Sequence, residues 1–301
     1  MNKFGSKNVV IWGLRNRKHS HRHIHKGFSD NFTSIGYETK WLDDLPFHNI
    51  ENSIVFASGM AIKYLPISRT NIYILHNVSF DLKQQLKWNS EEPKHLFLQV
   101  YTKDAVGEQL GRSPIVLYSP LKNTLYQPWG TPLPPKQWEV SVPENSINLE
   151  FWIGSVWQNS QNQGNLETIE EYKKVLYDCG ISFKQIKRSK WTLSGVSEET
   201  SKKIIRKSVL GASIVGDWQR TQQYIPCRIF KNLSYGVPPI TNLNVDAIFS
   251  ESAISNNNLE KLVGLGLGEN LKSREKRLKE SQEILKNFTY QSAIRRMLNL
   301  I

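Results

Sequence analysis

Residues 8–42 read NVVIWGLRNRKHSHRHIHKGFSDNFTSIGYETKWL. The opening Asn8-Val-Val-Ile-Trp is a short unbroken apolar run that stops at Gly13, as in a strand covered on both faces and closed by a turn. Beyond a basic loop, Ile24, Phe28, Phe32 and Ile35 recur at helical spacing, and Gly36 stands where a helix C-cap belongs. Glu38 to Leu42 reads as the next strand, ended by Asp43 and Asp44. Strand, glycine turn, helix, glycine cap and strand make a βαβ crossover, which predicts a parallel sheet.

The pattern continues outward. Ser53–Ala57, Asn71–Leu75, Leu96–Val100 and Ile115–Tyr118 are further short apolar runs suited to buried strands. A proline-rich stretch follows, from Pro120 to Pro143, poor in periodic apolar residues, and reads as a linker. A second βα series starts at Leu149-Glu-Phe-Trp-Ile-Gly154. It continues with a helix from Leu166 to Cys179 closed by Gly180, and a strand from Ile181 to Ile186. A helix from Ser197 to Lys207 follows, with Ser197 as N-cap and Glu198 and Glu199 in its first turn. Ala212–Val215 reads as a strand, Pro226–Tyr235 as a helix capped by Gly236, Pro239–Thr241 as a short strand, and the chain from Asn270 as helices. The expected organisation is two tandem Rossmann-like α/β domains: residues 1–130, a linker at 131–148, and residues 149–280. A C-terminal helix at 281–301 is expected to pack back on the first domain. Ligands of open α/β sheets bind outside the carboxyl ends of the strands, so a cleft between the two domains is expected.

Composition bounds the function. The chain has 301 residues, 39% hydrophobic and 22% charged, which fits a folded globular protein. Lys and Arg number 39 against 27 Asp and Glu, a net charge of +12 that favours anionic partners. The two cysteines, Cys179 and Cys227, supply neither a disulfide framework nor a cysteine zinc site. No apolar run approaches the ~20 residues that span a bilayer, and the start lacks a secretory pattern. A cytoplasmic protein is expected, with a basic surface that would tolerate peripheral contact with an anionic membrane. No zinc-finger, leucine-zipper or RNA-recognition signature accompanies the basic clusters, so nucleic acid is not an expected partner.

The stretch Tyr224-Ile-Pro-Cys-Arg-Ile-Phe-Lys-Asn-Leu-Ser-Tyr-Gly236-Val-Pro-Pro-Ile240-Thr-Asn resembles the donor-site signature of GT-B glycosyltransferases of the family-1-like kind: a helix, a small-residue–glycine turn, a proline and a short apolar strand. Phe288-Thr-Tyr290-Gln-Ser-Ala-Ile-Arg295 resembles the end of such proteins. The resemblance implies a GT-B fold and a Leloir glycosyltransferase of hexosyl or fucosyl type. It would move a sugar from a UDP- or GDP-sugar to a hydroxyl on a glycan, a lipid-linked glycan or a protein, without a bound metal or other cofactor. Where many retaining members carry two glutamates, this chain has Gln223 and Lys231. A non-catalytic binder of nucleotide-sugars or glycans on the same fold is an alternative. A nucleic-acid-binding protein using the basic His/Arg loop is another.

Candidate site residues follow. Arg228 and Lys231 lie three apart on the first turns of the donor helix, Arg for a bidentate grip on phosphate and Lys as a point charge. Gln223 and Tyr224 precede that helix, and Trp218 follows a strand end where a ring can stack on a nucleobase. The resemblance places Gly154 and Ser155 near the donor phosphates. In the first βα loop Gly13 permits close backbone approach, and Ser20 and Arg22 are candidate phosphate or acceptor contacts. Lys18 to His25 holds four histidines at 19, 21, 23 and 25, paired four apart. Three readings stand: a general base for the acceptor hydroxyl, a site for zinc, copper or nickel, and a polar helix start. The assignment carried forward is a base, His23 or His19, with no metal. His76-Asn77, at another strand end, reads equally well as a cleft contact or a plain turn.

Overall fold

The computed structural model describes residues 8–16, 21–43, 48–78, 93–100, 117–120, 123–144, 148–161, 163–186 and 196–301. The chain divides into two compact units, Met1–Pro132 with Tyr290–Ile301, and Leu133–Thr289.

The first unit holds one seven-stranded sheet. Its strands are β1 (Asn8–Trp12), β2 (Glu38–Leu42), β3 (Ile54–Ser58), β4 (Ile72–His76), β5 (Lys94–Gln99), β6 (Leu117–Ser119) and β7 (Thr124–Tyr126). Their order is β2-β1-β3-β4-β5-β7-β6, and every pairing is parallel except β6 with β7. The helix expected after the basic loop is α1 (His21–Ser34), which buries Ile24, Phe28 and Phe32. Each such side chain contributes roughly 1.5–3 kcal/mol when fully buried. Phe28 stacks on Phe56 of β3 at 4.5 Å between centroids and on Tyr290 at 4.4 Å. Tyr290 opens the last helix of the chain (Tyr290–Leu300), which packs on α1. Gly27 makes this contact close, since a Cβ there would stand 2.5 Å from the Tyr290 ring. The order 2-1-3-4-5 reverses direction between β1 and β3, and such a switch point opens a crevice at the strand carboxyl ends.

The proline-rich stretch is more ordered than a linker reading implies. Thr124–Tyr126 is β7, inserted between β5 and β6, and Trp129 and Thr131 are buried. Three residues between prolines and polar residues are too few for periodicity to register. Residues 133–144 group with the second unit. There Glu139 N donates to Ser234 O, and Leu133 packs with Tyr235 and Val237.

In the second unit β8 (Leu149–Ile153) pairs parallel with β9 (Ser182–Ile186), and β10 (Ile240–Thr241) pairs parallel with β11 (Ile254–Ser255). The helices are α2 (Leu166–Asp178), α3 (Glu198–Ile205), α4 (Asp217–Thr221), α5 (Cys227–Ser234), α6 (Asp246–Phe249), α7 (Leu259–Leu267) and α8 (Leu271–Leu285). Ser197 caps α3 as its sequence predicts, its hydroxyl accepting from Thr200 N. The strand expected at Ala212–Val215 is not a ladder strand. Val209 N donates to Leu149 O and Ser213 N to Ile240 O, so this segment bridges the two short sheets. In between, the Glu150 carboxylate takes the place of ladder carbonyls, accepting from Leu210 N (2.9 Å) and Ala212 N (2.7 Å). None of the described helices is long and apolar enough to cross a membrane.

Glu150 is fully buried on β8. Burial pushes its carboxyl up to about 7 against the pull of the three amides at 210–212 and of Arg274. A folded pKa above the ordinary 4.5 means that the folded state binds the extra proton. The contribution of Glu150 is therefore fullest below about pH 4.5 and is lost as pH rises through about 7. Urea denaturation of the wild type and Glu150→Gln at both ends of this window should show the difference moving against the wild type by on the order of 2–3 kcal/mol. A difference that does not change with pH would contradict this account.

Candidate functional site

Two groups of residues collect at strand carboxyl ends, one in each unit. In the first unit β1 is followed by Gly13, whose φ of +77° suits glycine. The Gly13 carbonyl accepts from Trp41 Nε1 at 2.9 Å and faces His25 Nδ1 at 3.2 Å. Arg22 donates from Nε to the Arg15 carbonyl at 2.8 Å. His25 lies one turn on from His21 and three before Phe28, so the helical period turns it into the core, fully buried. Its Nε2 stands 2.8 Å from Nε2 of His76, the last residue of β4, also fully buried. The His21 ring lies 5.4 Å from His76, and its Nε2 contacts the Asn77 side-chain amide at 3.4 Å. Phe56 stacks on the His76 ring and Trp129 meets it edge-on. Burial, then the neighbouring His25 and His21, hold the His76 imidazole well below its usual range.

The candidate histidines divide accordingly. His23 is exposed on the outer face of α1. His19 and Ser20 lie outside the described residues. The structure gathers His21 and His25 with His76 instead. Two of these stand in the four-apart pattern of the sequence; the third comes from a strand fifty residues away, a link that no local spacing reveals. Among the described residues no group of three or more His, Cys, Asp or Glu has the arrangement to hold a metal ion.

In the second unit Gly154 follows β8 and faces the first turn of α5. A Cβ on Gly154 would stand 2.6 Å from Arg228 Nη1 and 3.5 Å from Trp152 Nε1. The Arg228 guanidinium carbon lies 3.9 Å from the Trp152 ring centroid, a cation–π stack, and Nη2 donates to Ile214 O at 2.9 Å. Arg228 Nε and Trp152 Nε1 are buried with no hydrogen-bond partner among the described residues. Burial pulls the Arg228 guanidinium down, with Cys227 and Tyr224 acting the other way. Pro226 caps α5 without a side-chain bond, which leaves the helix N-terminus open toward an anion.

Lys231 is placed differently. Its ammonium bonds Glu198 of α3 at 2.9 Å, and the other Glu198 oxygen accepts from Tyr235 OH. Burial pulls Lys231 down, but Glu198 and Cys227 outweigh it and the net direction is up. Ser155 is exposed, and its carbonyl accepts from Asn165 Nδ2 at 3.2 Å. Trp218 is half-buried on α4; Gln223 is exposed in a left-handed turn (φ +52°); Tyr224 is half-buried and donates from N to Gln219 O. The sequence reading missed Trp152 and Glu198. The signal for Trp152 was its place two residues before Gly154. The first-turn acid of α3 gave no hint that it would reach across to α5.

No family model matches the chain, and no curated protein matches it. Solved structures do. An alpha-glucosyltransferase in complex with UDP and a 13-mer DNA containing an HMU base is 13% identical, covering 98% of this chain and 99% of that one, with a TM-score of 0.54. An alpha-glucosyltransferase in complex with UDP is 12% identical over 97% and 99% of the two chains, with a TM-score of 0.58. An alpha,alpha-trehalose-phosphate synthase (UDP-forming) from Burkholderia vietnamiensis is 9% identical over 98% and 100%, with a TM-score of 0.51. The chain has the fold of these GT-B glycosyltransferases, α/β with a mostly parallel central sheet.

The Lys231–Glu198 pair is partly exposed, at 24% and 31% of the side chains. A double-mutant cycle of Lys231→Met and Glu198→Gln, read by denaturation, should therefore give a coupling of about 1 kcal/mol or less. A coupling well above 1 kcal/mol would mean that the pair is screened less than this exposure implies.

Proposed function

We propose that the protein is a glycosyltransferase that transfers a sugar from a nucleoside-diphosphate donor, a UDP-sugar, to a hydroxyl acceptor. The observation that carries this reading is Arg228, stacked on Trp152 beside Gly154 at a strand end and at the open N-terminus of α5. The leaving group of such a reaction is a diphosphate, and charge grows on its oxygens as the sugar departs. A guanidinium fixed by a ring face and a carbonyl meets that charge with no reorganisation, and the helix dipole adds to it. Gly154 lets phosphate approach the backbone where any side chain would collide with Arg228. In this reading the charge is stabilised without a bound metal. Trp218 and Tyr224 flank the nucleoside, Ser155 and Gln223 offer polar contacts, and Lys231, engaged by Glu198, supports the field from beside. The first unit serves the acceptor, with Gly13 and Arg22 shaping its first loop and the nearby histidines, His23 among them, offering the base. The choice of uridine rests on the UDP bound in neighbours of the same fold.

A second reading concerns the acceptor. The net charge of +12 and the DNA held by a neighbouring alpha-glucosyltransferase favour a nucleic acid bearing a hydroxyl over a glycan, lipid-linked glycan or protein. Binding of a labelled duplex should then weaken steeply with salt. Salt-insensitive binding, or none at low salt, would remove this reading.

Thermal unfolding with UDP, GDP, CMP and TDP tests the donor site. A ligand at one hundred times its dissociation constant stabilises by ~2.7 kcal/mol, a rise of several degrees at the usual ~2–4 °C per kcal/mol. UDP should give this rise in the wild type, and Arg228→Ala or Gly154→Val should remove most of it. A full UDP shift in Arg228→Ala would sink the assignment. UDP binding without transfer from labelled UDP-glucose to any acceptor would leave a non-catalytic binder.

A further inference from the structure

The peptide that joins Gly211 to Ala212 is gripped from both sides. Its amide, Ala212 N, donates to Glu150 Oε1 of β8 at 2.7 Å. Its carbonyl, Gly211 O, accepts from Asn232 Nδ2 of α5 at 2.8 Å. The carbonyl is an acceptor only, so the Asn232 amide nitrogen must be the atom that faces it. A trans peptide is planar, with N–H and C=O pointing opposite ways, so neither contact can turn without turning the other. Glu150 and Asn232 are 0% and 3% exposed, so water does not replace a bond lost here.

This relay has a neighbour of matching length. Glu150 and Trp152 stand two apart on one face of β8, about 7 Å along the strand. Arg228 and Asn232 stand four apart on one face of α5, about 6 Å along the helix. The two pairs meet in reversed order: Glu150 reaches Asn232 through the peptide, and Trp152 carries the Arg228 guanidinium at 3.9 Å. Arg228 has no ion pair among the described residues to hold it. Its described partners are the Trp152 ring and Ile214 O. Ile214 O is itself bracketed, because Ser213 N donates to Ile240 O and Asn242 holds both the amide and the carbonyl of Val215. Where the guanidinium sits therefore follows from where α5 sits.

We propose that Asn232 and Glu150 are positioning residues for Arg228: through the Gly211–Ala212 peptide they fix the register of α5 against β8 that lays the guanidinium over Trp152. That the guanidinium so placed meets a diphosphate rests on the transferase reading; the register does not.

Two measurements test this. The first is the Arg228 Nε–H resonance in protein labelled with nitrogen-15 arginine, assigned by its loss in Arg228→Lys. Over the indole face it should be displaced by the ring current. Asn232→Leu, which keeps the size of the side chain and removes the donor, should move it toward the position of an exposed arginine. Glu150→Gln approaches the same peptide from the other side and should move it in the same direction. The second measurement is UDP affinity by calorimetry. Asn232→Leu should weaken UDP about tenfold, the size of one lost hydrogen bond. In an Arg228→Lys background, whose ammonium has no planar face to lay on the indole, the same change should cost much less. An Arg228 resonance unmoved by both substitutions, in proteins folded by circular dichroism, would overturn the proposal. So would an equal loss of UDP affinity in the two backgrounds, which would make Asn232 a general support of the fold. If Arg228→Ala binds UDP as the wild type does, the donor reading is wrong, and the resonance still decides the register.

Discussion

The second unit depends on a buried carboxylate. Glu150 sits on β8 with no exposure, and its oxygens hold the amides at 210–212 in place of a neighbouring strand. The left-handed turn at Gly211 (φ +64°) is what lets those amides converge on one side chain. This clamp fixes the path of the chain from 209 to 215 between the two short sheets. Ile214 O lies on that path and holds Arg228, while Trp152 and Gly154 lie on and just beyond the strand that bears Glu150. The guanidinium at the strand end is thus set by a carboxylate several residues behind it. A group so buried stabilises only while its hydrogen bonds are complete, since leaving its partners unsatisfied in a dry interior costs more than the bonds contribute net.

The two strand-end groups differ in chemical sign. In the second unit the buried unpartnered atoms at the strand end, Arg228 Nε and Trp152 Nε1, are donors. In the first unit those at the exit of β4 are His76 Nδ1 and Asn77 Oδ1, the latter an acceptor. Buried polar atoms are satisfied in the great majority of folded structures, so atoms that are not call for an explanation. A donor set fits an anion, and an acceptor set fits a hydroxyl-bearing ligand.

Much of the fold was legible because its strands are short apolar runs between glycine turns and its helices carry local end signals. Gly13, Gly36, Gly180 and Gly236 all adopt positive φ where the sequence placed a turn or a cap. The 212–215 segment misled for a physical reason: its apolar residues are buried like a strand, but a side chain has taken over its hydrogen bonds. β7 escaped notice because three residues amid prolines have no period to detect. At the site, Gly154 and Arg228 were legible from their neighbours in sequence. His76 as the partner of His25 was not, because helix spacing reports faces within one element, and the deciding contact joins α1 to the end of β4. His23, chosen from sequence, takes no part in that contact. A histidine facing away from the apolar stripe is the more exposed one, whereas the buried pair lies on the stripe itself.

The ion pair on α5 changes how that helix is to be understood. Counted from sequence, Arg228 and Lys231 give two positive charges on one helical face. The structure leaves one of them uncompensated, because Glu198 meets Lys231 and is itself tied to Tyr235. A diphosphate at the N-terminus of α5 would then face one guanidinium and the partial charge of the helix. Glu198 is a first-turn acid of α3, and α3 packs against β8, the strand that carries Trp152 and leads into Gly154, so the ion pair that compensates Lys231 on α5 is carried by a helix resting on that strand. The electrostatics of the site and the architecture beneath it are one arrangement. A change to the α3–β8 packing would alter the field at Arg228 without touching Arg228 itself.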